Sequence, residues 1–74
     1  MNKTESFDMI RVNLQVIYSC LHKASMEVVE GINAINNGNQ NGAIGAILEV
    51  SDRLSAAQTF CDAIMRIHRN QHNS

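Results

Sequence analysis

His68 and His72 stand four residues apart, a spacing that places two imidazoles on one face of a helix, and Cys61 lies two turns before His68. By type these are zinc ligands. Their setting argues otherwise. Cys61 and His68 fall on an apolar stripe, His72 falls in a polar tail, and the remaining histidine, His22, is distant in the chain. The pair is expected to cap or hydrate a helix end, and neither a metal nor a cofactor is expected. Cys20 and Cys61 have no base placed to activate them. Cys61 reads as a small packing residue, while Cys20 is positioned to cross-link two chains under oxidation. Gly38, Gly42 and Gly45 match neither a P-loop nor a dinucleotide-binding spacing. With no acid, base and nucleophile converging, the chain reads as non-enzymatic.

The elements that must position these residues are helices. Pro is absent, and all four glycines (Gly31, Gly38, Gly42 and Gly45) lie in one window, so long helices with a single break are expected. Asn36-Asn37-Gly38-Asn39-Gln40-Asn41-Gly42 is rich in the residues that favour caps and turns. The fold class is all-α: an antiparallel two-helix hairpin, expected to dimerise into a four-helix bundle. One domain spans 1–74, with helix one over 4–36, a loop over 37–41, helix two over 42–69 and a loose tail over 70–74. Helix one is expected to start near Thr4, or at Asn2 with Glu5 as capping partner. It should stop where Gly38 takes the left-handed position. Asn39 or Asn41 should cap helix two.

Phe7, Ile10, Leu14, Ile17, Leu21, Ala24, Val28 and Ile35 step by three and four, apart from one gap at Gly31. Ala43, Ile47, Val50, Leu54, Ala57, Cys61, Ile64 and His68 do the same on the second helix. Such stripes make a packed seam. Folding about the loop pairs residues whose numbers sum to roughly 78, which sets large against small: Gly31 meets Ile47, Ala24 meets Leu54 and Leu21 meets Ala57. Cys20 and Cys61 do not meet in this register, so no intramolecular disulfide is expected.

With that seam satisfied, one flank stays apolar: Met9, Val16, Cys20, Ala56, Phe60, Ala63 and Ile67. The other, from Arg11, Tyr18 and Ser25 to Gln58 and Met65, is more polar through its middle. The first flank is the expected dimer or partner-binding face, with Phe60 as anchor. The expected function is that of a small interaction protein, an adaptor, inhibitor or chaperone-like regulator, forming a homodimer or binding another protein.

Charge narrows the alternatives. A net charge of −1 supplies no general attraction to nucleic acid or anionic membrane. Arg11, Arg66 and Arg69, with Lys3, nevertheless gather at the open end of the hairpin, where an anion such as RNA or a nucleotide is the alternative ligand. Glu5, Asp8 and Asp62 offset that charge. No run approaches the roughly 18 apolar residues of a membrane span, and residues 1–8 lack a signal-peptide layout. Two cysteines do not make a disulfide framework, so a reducing compartment, the cytoplasm, is the expected location.

Overall fold

Asn2 begins the first helix by accepting a hydrogen bond at Oδ1 from the Glu5 backbone N–H at 2.8 Å, which satisfies one of the unpaired donors of a helix start. In this computed structural model, which describes residues 2–73 apart from the side chains of 72 and 73, α1 runs Lys3–Asn36 and α2 runs Gln40–Asn73, 34 residues each. Gly38 has φ 75°. Its N–H donates to the Ile35 carbonyl at 2.9 Å, and the Asn39 N–H reaches the Ala34 carbonyl at 2.8 Å. This pair of reversed bonds is the Schellman closure that a left-handed glycine permits. Asn39 then caps α2, its Oδ1 accepting from the Gly42 N–H at 2.9 Å.

The turn is therefore shorter than the expected 37–41. Asn39 rather than Asn41 supplies the cap, so α2 starts at Gln40 instead of residue 42. The expected loose tail is helical through Asn73, and Ser74 lies outside the described residues.

The two helices pack against each other as a hairpin 56 × 16 × 10 Å in extent. The seam differs from the one the sequence spacing predicts. On α1 the buried or half-buried positions are Ser6, Ile10, Asn13, Val16, Ile17, Cys20, Ala24, Glu27, Gly31 and Ala34, and on α2 they include Ala43, Ala46, Val50, Arg53, Ala57, Phe60, Cys61, Ile64 and Ile67. Ile10, Ile17, Ala24, Ala43, Val50, Ala57, Cys61 and Ile64 are common to both versions, whereas His68 is exposed. Phe7, Leu14, Leu21, Val28 and Ile35 are not inside: they are 52%, 54%, 47%, 38% and 54% exposed. Ile47 and Leu54 are likewise half exposed.

On α1 the reason is one of size. A row of residues seven apart has two neighbouring rows at steps of three and four, and periodicity alone does not choose between them. Here α1 closes on its row of smaller or polar side chains, Ser6, Asn13, Cys20, Glu27 and Ala34, while α2 turns Ala46, Arg53, Phe60 and Ile67 toward it. A Cβ at Gly31 would stand 3.5 Å from the Cβ of Ala46 and 3.9 Å from the Ala43 carbonyl oxygen, so the backbones approach closely where glycine faces alanine.

Candidate functional site

The rotation of the seam turns a different flank outward. On α1 the row Phe7, Leu14, Leu21, Val28 and Ile35 repeats every seven residues along the whole helix. Ile47 and Leu54 follow the same spacing on α2, and because the helices are antiparallel, corresponding rows share one side of the hairpin. Near the turn, Val28, Gly31, Ile32, Ile35, Ala43 and Ile47 line a hollow of about 260 Å³ whose walls are almost wholly apolar. Ile32 and Ile44, both half exposed, widen the apolar surface at that end. At the open end Phe7 projects with the Lys3 Nζ 5.7 Å from its ring centroid, within range of a cation–π contact.

The face expected from sequence is partly consumed. Ile67 is 7% exposed and belongs to the hairpin's own core, and Phe60 and Cys20 are half-buried in the seam. Val16, Ala56 and Ala63 are half-buried beside it, leaving Met9 the exposed member. Expected seam and expected face thus exchange residues. When the helices turn toward Cys20, Phe60 and Ile67, they release the Phe7 row to the opposite flank. That flank looks the more polar one only when its leucines and isoleucines are assigned to the inside.

One interaction has no counterpart among the sequence expectations. Arg53 Nε donates to Glu27 Oε1 at 3.1 Å across the seam. Glu27 is 8% exposed, and its second carboxylate oxygen is buried with no hydrogen-bond partner. A charged pair inside an otherwise apolar seam favours one register over its neighbours. Spacing carries its signal: Glu27 lies seven residues after Cys20 and Arg53 seven before Phe60, the row that the helices use.

The remaining candidates are dispersed. Arg11 is paired with Asp8 at 2.8 Å, and Arg66 and Arg69 are exposed on α2. Cys20 and Cys61 are both free thiols, half-buried. Among the described residues there is no group of three or more His, Cys, Asp or Glu placed to hold a metal ion; the His72 side chain of the His68–His72 pair lies outside them. Tyr18 and His22 stack, their rings 5° from parallel with centroids 6.1 Å apart. No helix among the described residues is long and apolar enough to cross a membrane. Comparison with protein-family models, characterised protein sequences and solved structures returns no match.

Proposed function

We propose that the chain is a non-catalytic interaction protein, an adaptor, inhibitor or chaperone-like regulator, which self-associates through the Phe7–Leu14–Leu21–Val28–Ile35 flank into a four-helix bundle. The observation that carries the reading is the continuous half-exposed row of large apolar side chains on α1, left outside the seam that the two helices share. A helix facing a bundle core carries a third apolar row beside the two that make its nearest seam; α1 shows that pattern along its length, and Ile47 and Leu54 continue it on the turn half of α2. The hairpin exposes 5487 Å², whereas a compact monomer of this mass exposes about 4,500 Å². A rod exposes more than a sphere, and that excess is accompanied here by half-exposed leucine, isoleucine and phenylalanine side chains. Its size, about 1,000 Å², is close to the roughly 800 Å² that one partner contributes to a standard interface. Covering the exposed halves of these side chains is worth about 1 kcal/mol each.

Size-exclusion chromatography with light scattering tests the proposal. The wild type should elute at twice the 8.2 kDa chain mass, and Leu21→Asp with Leu54→Asp should return it to a helical monomer. A wild type that stays monomeric at high concentration overturns it.

A further inference from the structure

We propose that the second copy lies along this flank in the opposite direction, with Phe7 of each chain seated in the apolar hollow beside the other chain's turn. The inference rests on the self-association proposed above and specifies its geometry.

The row itself supplies the symmetry. Residues 7, 14, 21, 28 and 35 are evenly spaced about Leu21. A two-fold axis at Leu21 therefore brings Phe7 level with the partner's Ile35 and Leu14 level with its Val28, as an interface between identical surfaces requires. The two ends of the row are also unlike in shape. At one end Phe7 is a ring 52% exposed; at the other, Val28, Gly31, Ile32, Ile35 and Ile47 are among the residues that line an open recess. The recess measures about 260 Å³ and opens to solvent, so a ring can enter it from outside without the hairpin opening. Opposite orientation puts ring and recess together twice in each dimer, whereas parallel orientation sets ring against ring and recess against recess.

Charge favours the same arrangement. The open half of the hairpin carries Lys3, Arg11, Arg66 and Arg69 against Glu5, Asp8 and Asp62. The turn half carries Lys23 and Arg53 against Glu27, Glu30, Glu49 and Asp52. Opposite orientation brings the more cationic half of one chain beside the more anionic half of the other, a complementarity that sets alignment more than affinity. Lys3, already over the Phe7 ring, travels with it to the acidic end.

A spin label carried on a bio-orthogonal residue in place of Asn37 leaves both cysteines untouched and reads the orientation directly. Asn37 lies 16 residues beyond Leu21, so electron–electron resonance should report a label separation of about 50 Å at 1.5 Å rise per residue on each side of the axis. A dimer with a separation below about 25 Å, the width of two packed helices, overturns the orientation and leaves self-association standing. A monomer overturns both. Because Phe7 is exposed in the hairpin, Phe7→Ala should leave the monomer helical while weakening dimerisation by at least about 30-fold, as loss of an aromatic anchor does. Unchanged dimer affinity in that variant overturns the seating of Phe7.

Discussion

Ala46 and Ile47 are adjacent in sequence and differ sharply in place, which makes them a direct test of which side of α2 faces α1. Ala46 is 8% exposed and stands opposite Gly31, where a methyl group in place of the glycine hydrogen would already reach it at 3.5 Å. Ala46→Leu adds three carbons where the two backbones nearly touch, so the helices must separate, at a cost of about 1–3 kcal/mol. Ile47 is 51% exposed. Ile47→Ala removes three carbons, each worth about 0.8 kcal/mol if fully buried, so the cost to the hairpin alone is about 1 kcal/mol. Urea denaturation followed by far-ultraviolet circular dichroism should be run at two concentrations about a hundredfold apart, a range over which dimerisation changes apparent stability by about 2.7 kcal/mol. The Ala46→Leu cost should persist at the lower concentration, whereas the Ile47→Ala cost should grow at the higher one. If Ile47→Ala is the more damaging in dilute solution and Ala46→Leu is harmless, the seam runs along the large apolar row and the reasoning fails.

Three further outcomes follow from local structure. Gly38→Ala forces a side chain into φ 75° and should destabilise the fold by about 1 kcal/mol, whereas Gly45→Ala, where a Cβ meets nothing within 4 Å, should stabilise it by about 0.5–1 kcal/mol; thermal unfolding of the pair checks both signs. Arg53→Ala strands the buried Glu27 carboxylate and should cost about 1–3 kcal/mol, reduced from a fully buried case because the Arg53 side chain is 42% exposed, while Glu27→Leu should be near neutral; equal losses in chemical denaturation would contradict this. Finally, Arg66→Gln with Arg69→Gln should leave dimer mass unchanged in light scattering, and a salt-sensitive affinity for single-stranded RNA that disappears in this variant would instead support the anion-binding alternative.

The helices and their punctuation are legible in the sequence because each signal is local. Asn2, Gly38 and Asn39 act through hydrogen bonds no more than five residues long, so sequence spacing is enough to place them. The seam is legible only to within one row. Ile10, Ile17 and Ala24 belong to it on either reading, but hydrophobicity selects the wrong neighbouring row, since Leu14 and Leu21 are more apolar than Asn13 and Cys20. Close backbone approach reverses the choice, and it depends on residues from the other helix, Ala43 and Ala46, meeting Gly31. The error carries over to the candidate face, since whichever row is removed from one flank is returned to the other.

The same geometry bears on how the chain becomes stable. The buried apolar residues among those described are Ala24, Ala43, Ala46, Ala57 and Ile67, so four of the five supply little more than a methyl group each. Fixing one backbone residue costs about 1–2 kcal/mol, and long helices gain most of their stability from a packed apolar face rather than from intrinsic propensity. A seam this lean defines register, through close approach and the Glu27–Arg53 pair, better than it provides stability. Further large side chains that could add burial stand in the outward row, where water covers them until another chain does. Association then adds stability to a marginal hairpin, and the melting temperature should rise with protein concentration while Leu21→Asp abolishes that dependence. A melting temperature that is high and independent of concentration would mean that the seam suffices by itself, and the case for a covered flank would lose its energetic basis.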